Sequence, residues 1–360
     1  MKNTLLTLLL VFSYSIFADE VDPQIDEYNQ KLNNYLRNHH DTNIQLSAYL
    51  QSRKNANYDN LKLILSNVIH LDSDKYSISL ADNICHSYDE LTDWCHNKDI
   101  HQIRYQVDPK NLNSYLSELD ELESDRDKTA LLEKASNMSN YSDYFMFYYV
   151  LEKAKQIDVF NLQNKKSYED YLEVVNSSSI ELLDKTQKDV DKSYLFINEY
   201  AIDDIELELS KNNSIIMAIG IEMATAMPSF RALSNNCKKI ESANHCLIIA
   251  EIQIHSKTLI DQLLGSAIKI MALKSLNKDE SIVNKAELQK QRFSESHTCY
   301  MNTKDIYLAM SLSQYFNIQY INDILEYGEF NAIKKLALKI HQIQLDNGLV
   351  TDFDPNDCES

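Results

Sequence analysis

Apolar residues recur along this chain at intervals of three and four, the repeat of a helix face, and seldom in the strict alternation of a strand. Leu61, Ile64, Leu65 and Val68 with Ile69 mark one face of a short helix. Asp108-Pro109 predicts a new start, because Asp caps a helix and Pro fits its first turn. Three apolar stripes then follow in sequence. Tyr115, Leu116, Leu119 and Leu122 form the first, and Ala130, Leu131, Ala135 and Met138 the second. Tyr144, Phe147, Tyr148, Leu151 and Ala154 form the third. Three helices of about 11–14 residues with short polar turns predict an antiparallel array.

The second half is more apolar. Ile215 to Leu233, Cys246 to His255 and Thr258 to Leu273 read as consecutive buried helices. In the last of these, Leu259, Leu263, Ala267, Ile270 and Met271 fit a helical period and the opposite positions are apolar too, as in a helix deep inside a bundle. Ala332, Ile333, Leu336, Ala337, Ile340 and Ile343 form a final amphipathic helix, which Asn347-Gly348 ends. A polar stretch between Gln163 and Asp191 marks a soft boundary. The expected organisation is a leader over 1–18, an N-terminal helical domain over 19–165, a C-terminal helical bundle over 166–348 and a polar tail over 349–360.

Composition strengthens the helical reading. The 360 residues include only 4 Gly and 4 Pro. Few turns can then take positive φ, and few loops can press backbone against a phosphate or hold a strained nucleophile. The predicted class is all-α, an array of antiparallel helical hairpins forming a superhelix or bundle. The net charge of -19 repels nucleic-acid phosphates and anionic lipid surfaces. Lys2, the apolar run Thr4 to Phe17 and the small Ala18 have the layout of a secretory leader, with a cut expected near Ala18. That layout predicts a periplasmic or secreted protein. Ile215 to Met227 is apolar, but Glu222 interrupts it and Pro228 follows, so a buried helix and no membrane span is expected there.

Export changes how the cysteines read. Cys85, Cys95, Cys237, Cys246, Cys299 and Cys358 are even in number, which in an oxidising compartment suggests disulfides. Their spacing favours nearest-neighbour pairing: Cys85–Cys95, Cys237–Cys246 and Cys299–Cys358. The rival is a metal site, since Cys85-His86, Cys95-His96 and His101 place several soft ligands close together. No C-x-x-C or zinc-finger histidine spacing frames them, so neither a metal nor a cofactor is expected.

Asp108 to Met138 resembles a tetratricopeptide or Sel1-like helical hairpin: an Asp-Pro-Lys-Asn opening, Tyr115 early in the first helix, Leu119 and Leu122 on its packing face, then Ala130 and Ala135 in the second. Arrays of such repeats imply a protein-binding scaffold. The layout as a whole resembles uncharacterised exported helical proteins of gamma-proteobacteria, a resemblance that implies no activity.

The chemistry-bearing patterns are sparse. The ten histidines give no His-x-x-x-His pair and no Glu-x-x-His ligand pair, so the metalloprotease and di-iron layouts are missing. The acidic run Asp203 to Glu208 reads as a solvated helix face. Asp352, Asp354, Asn356 and Asp357 alternate like a calcium loop, but without its turn glycine or its closing Glu. Glu295-Ser296 and Glu241-Ser242 match the catalytic dipeptide of lytic transglycosylases, which leaves Glu295 as the candidate acid of an envelope enzyme acting on cell-wall glycan. Tyr144, Phe147 and Tyr148 are the candidate aromatic binding face. The favoured reading is an exported helical module that binds another envelope protein or a peptide. The alternative is a cell-wall glycan hydrolase.

Overall fold

The computed structural model describes residues 22–52, 56–138, 140–142, 149–174, 213–223, 230–303, 318–346, 348 and 353–359. The leader, the aromatic run over 143–148, the acidic run over 203–208 and Asp352 lie outside the described residues. The described fold is all-α. Its only extended pairing is a single bridge between Asn111 and Tyr141.

The N-terminal elements are α1 (Pro23–Arg37), α2 (Thr42–Gln51), α3 (Tyr58–Ser66), α4 (Lys75–Ser87), α5 (Thr92–His96), α6 (Ile100–Val107), α7 (Asn113–Leu116) and α8 (Asp125–Met138). After them come α9 (Val150–Gln163), α10 (Asn213–Met223), α11 (Phe230–Cys237), α12 (Ile240–Ile254), α13 (Leu259–Ser275), α14 (Glu280–Met301), α15 (Ile318–Tyr327) and α16 (Glu329–Asp346). Single 3-10 turns cover Asp89–Leu91, Ser117–Asp120 and Pro355–Glu359.

Polar residues at the caps set several of these boundaries. Asp22, Asp41, Asn57, Asp74, Thr258 and Asp279 each accept a backbone N–H of the helix they precede. Each cap satisfies a donor that the first helical turn leaves unpaired. Gly348, just beyond α16, has φ of +76°, the left-handed conformation that suits a residue past a helix end.

Asp108-Pro109 does not open a long helix. Asp108 instead ends α6, and its carboxylate accepts from Asn111 Nδ2 at 3.0 Å and from the Tyr141 hydroxyl. Asn111 Oδ1 in turn accepts the N–H of Asn113 at 3.0 Å. These short polar side chains compete for the backbone and cut the segment into the one-turn α7 and a 3-10 turn. The second predicted stripe is helical as α8, and the described part of the third lies in α9.

In the second half the run Ile215 to Leu233 contributes to two helices, α10 and α11. The predicted helices over Thr258–Leu273 and Ala332–Ile343 match α13 and α16, whereas α12 starts at Ile240, six residues before the predicted Cys246, and α14 and α15 have no counterpart among the predicted helices. α12 lies along α13, and the approach is close because Gly265 has no Cβ: one there would stand 2.8 Å from Ala250 O and 2.8 Å from Ile254 N. α13 is buried along one face, at Leu259, Gly265, Ile268 and Ala272, and half-buried over most of the remainder.

The largest core joins α1, α2, α9, α10, α15 and α16, with Tyr28, Ile157, Ile219, Ile321 and Ile340 at its centre. It therefore draws residues from both sides of the 165/166 boundary. A second core lies among α2, α3, α4 and α6, and a third gathers α7, α8, α11, α12 and α13. Three disulfides brace these cores, and they are the nearest-neighbour pairs: Cys85–Cys95, Cys237–Cys246 and Cys299–Cys358. Disulfides belong to oxidising compartments, so they fit a protein that works outside the cytoplasm. Among the described residues no helix is long and apolar enough to cross a membrane.

Candidate functional site

Among the described residues, a dense meeting of titratable side chains lies between α4, α6 and the 3-10 turn that follows α7. Asp82 and His86 are four residues apart on α4 and so share one face. His101 and Arg104 are three apart on α6, which packs against α4. Glu121 arrives from the residue that caps the 3-10 turn Ser117–Asp120.

Glu121 bridges the two imidazoles. Its Oε1 lies 2.9 Å from His86 Nε2 and its Oε2 lies 2.9 Å from His101 Nε2. Both Nδ1 atoms turn toward Asp82, each 3.6 Å from its Oδ1. His86 Nδ1 is also 2.8 Å from the Asp82 main-chain oxygen. Arg104 donates to the other Asp82 oxygen, Oδ2. Asp82 itself is fully buried, at 0% exposure. Its Oδ1 and His101 Nδ1 are both buried without a partner at full hydrogen-bond geometry, and the Ser117 hydroxyl lies close enough to the Asp82 carboxylate to help lower it. One ligand atom each from Asp82, His86 and His101 lie within 4.8 Å of one another, the span of a metal ligand set.

The electrostatics follow from the geometry. Burial raises the Asp82 carboxyl, but Arg104 and the two imidazoles outweigh it and hold the group below the usual carboxylate range. Burial lowers His86, yet the Glu121 hydrogen bond and the Asp82 charge overcome it and carry the ring to about 9. His101 moves upward for the same reasons, with Glu118 adding to the field. Hydrogen bonds from both histidines push Glu121 strongly down.

The cluster contains two of the histidines that the sequence placed near cysteines. The cysteines themselves are spent in the Cys85–Cys95 disulfide, and His96 is exposed at the end of α5. Asp82, Arg104 and Glu121 were missed. The legible signal is Asp82-x-x-x-His86 on a helix face, an acid four residues before a His, a spacing that differs from the Glu-x-x-His of di-iron helices.

The other candidates are scattered. Tyr144, Phe147 and Tyr148 lie outside the described residues. Tyr149, at the end of that run, stacks on Tyr76 with ring centroids 3.8 Å apart. Glu295 is exposed on α14, where it accepts from Gln291 Nε2 at 2.7 Å, and Glu241 is exposed in the first turn of α12. Asp354 caps the final 3-10 turn by accepting the N–H of Asn356 at 2.8 Å. Comparison of the chain with protein-family models, with curated proteins and with solved structures gives no match.

Proposed function

We propose that the protein acts in the periplasm or outside the cell, after loss of residues 1–18, as a helical module that binds another envelope protein or a peptide. The supporting observation is the set of branched aliphatic side chains left in water on α12 and α14: Ile240 at 59% exposure, Ile248 at 46%, Ile282 at 48% and Leu288 at 46%. Leu247 of α12 packs against the small cluster of Leu273, Val283 and Ala286 that joins α13 to α14. An open notch of about 460 Å³ lies beside that contact, lined by Lys274, Lys278, Val283 and Glu287 among others. Exposed apolar groups beside a polar-rimmed notch suit a partner that brings its own apolar side chains.

The glycan-hydrolase alternative draws no such support. A general acid of that kind needs a raised pKa and a place against the scissile bond. Glu295 instead lies on the open face of α14, tied to Gln291 one turn before it.

Photo-crosslinking groups at Ile248, Ile282 and Leu288 in intact cells test the reading. A discrete protein adduct is expected from these positions, none from exposed Asp89, and loss of the adduct in the variants Ile282→Glu and Leu288→Glu. Equal capture from Asp89, or capture indifferent to the variants, would overturn it.

A further inference from the structure

We propose that Asp82, His86 and His101 form a binding site for one divalent transition-metal ion of the zinc type, with Glu121 as the residue that orients both imidazoles. This goes beyond the binding-module reading and does not depend on it.

The argument starts from two buried acceptors with nothing to accept. Each His Nε2 faces a Glu121 oxygen at 2.9 Å, so each Nε2 carries the proton. In a neutral ring that leaves Nδ1 as a lone pair, whereas His86 Nδ1, 2.8 Å from the Asp82 main-chain oxygen, donates there in the absence of a metal and has to release that proton to bind one. For His101 that lone pair is buried, unpartnered and aimed at Asp82 Oδ1, which is also buried and unpartnered. Two facing lone pairs in a protein interior repel, and each has lost its water. Something positive belongs between them.

The spacing says what kind of cation fits. Zinc bonds of about 2.0–2.1 Å to nitrogen and oxygen put neighbouring tetrahedral ligand atoms roughly 3.4 Å apart. Asp82 Oδ1 lies 3.6 Å from His86 Nδ1 and 3.6 Å from His101 Nδ1. The set of two imidazoles and one carboxylate suits zinc and its neighbours, and does not suit calcium or magnesium, which want oxygen alone.

The surroundings are those of a supported site. Glu121 accepts from both ligand rings, the carboxylate–histidine arrangement that fixes the tautomer and orientation of a metal-binding imidazole. Arg104 occupies Asp82 Oδ2 and so leaves Oδ1 as the single free oxygen. The Cys85–Cys95 disulfide ties the end of α4 to α5, next to His86. Charge is also accommodated: with neutral rings, Asp82, Glu121 and Arg104 sum to one negative charge, ready for a dication. Three protein donors are one short of a closed tetrahedral set, so the remaining position falls to solvent or to a donor from a partner.

The rival occupant is a pair of protons, which would make both rings imidazolium. Titration of zinc into the full oxidised chain by calorimetry separates the two. The expected result is one saturable site per chain, with visible absorption bands when cobalt(II) replaces zinc. His86→Ala and His101→Ala should each weaken binding at least tenfold, and Glu121→Gln by about 10–100-fold. His96→Ala, an exposed neighbour, should leave it unchanged. Ring-nitrogen chemical shifts guard against variants that fail to fold, because they read the unaltered chain: zinc should shift Nδ1 of His86 and His101 selectively. Absence of a saturable site, binding indifferent to His101→Ala in a folded variant, or rings that stay doubly protonated in excess zinc would each overturn the proposal.

Discussion

Single buried groups in this protein carry opposite pH signatures. His297, on α14, is 8% exposed, and its Nε2 has no hydrogen-bond partner. Burial alone lowers its pKa to about 4. The folded state therefore prefers the neutral ring, and stability present above about pH 6.5 is lost as pH falls toward 4. The effect is worth about 3 kcal/mol. His297→Phe should remove that acid-side slope from urea unfolding measured across pH, and an unchanged slope would refute the assignment. Asp261 behaves in reverse. It is fully buried, and burial raises its carboxyl to about 6 although Ser256 and Thr258 hydroxyls bond to it at 2.7 and 2.8 Å. Its fold prefers the protonated acid, so its contribution is present below about pH 4 and lost as pH rises through 6. Asp261→Asn should flatten the stability profile between pH 4 and 6 in the same measurement. Both residues were invisible in the sequence as special. A His or Asp at a helical position becomes perturbed only when tertiary packing closes over it, and that packing comes from segments far along the chain.

At the scale of the helix, the legible parts were those fixed by local spacing. α13 and α16 follow from their apolar periods, and Thr258 and Gly348 mark a start and an end that the chemistry of caps anticipates. The segment after Asp108 was misread because the same Asp-Pro that can open a helix can also serve a polar turn. Here Asn111 and Tyr141 bring partners that favour the turn. The histidine cluster was half legible for a related reason: Asp82 and His86 share a helix, but Glu121 stands 39 and 35 positions further along the chain. The α12–α13 pair offers a direct test of helix packing. Gly265→Ala forces a methyl against main-chain atoms of Ala250 and Ile254, which cannot swing aside. A loss of about 1–3 kcal/mol in denaturant unfolding is expected. A neutral effect would mean that the two helices can separate freely.

The whole molecule holds together against its own charge. A net charge of -19 is self-repelling, and only part of it is paired locally, as at Lys239–Asp125 and Lys269–Glu251. Raising ionic strength shortens the Debye length from about 30 Å at 0.01 M to about 8 Å at 0.15 M. Salt should therefore raise the melting temperature in calorimetry, and a fall would show that attractive surface pairs dominate instead. Disulfides add covalent restraint on the same scale. Cys299–Cys358 spans 59 residues, against 9 for Cys237–Cys246. On loop-entropy grounds the longer closure stabilises by about 4 kcal/mol and the shorter by about 3. Replacing both cysteines of the long loop by Ala should cost more in reversible unfolding than replacing both of the short one, and the reverse order would point to strain or packing as the controlling factor.

The order of those disulfides has a kinetic consequence. Every cysteine is bonded to the next or the previous one along the chain, so no two closed loops interlock. A chain delivered N-terminus first presents each odd-numbered cysteine and then its true partner before any competitor emerges. Oxidation can thus keep pace with delivery, and no bond formed on the way has to be broken later. The pairing acts as a running record of how far the chain has emerged, with the last entry, at Cys358, written only when the C-terminal turn has arrived to seal the bundle.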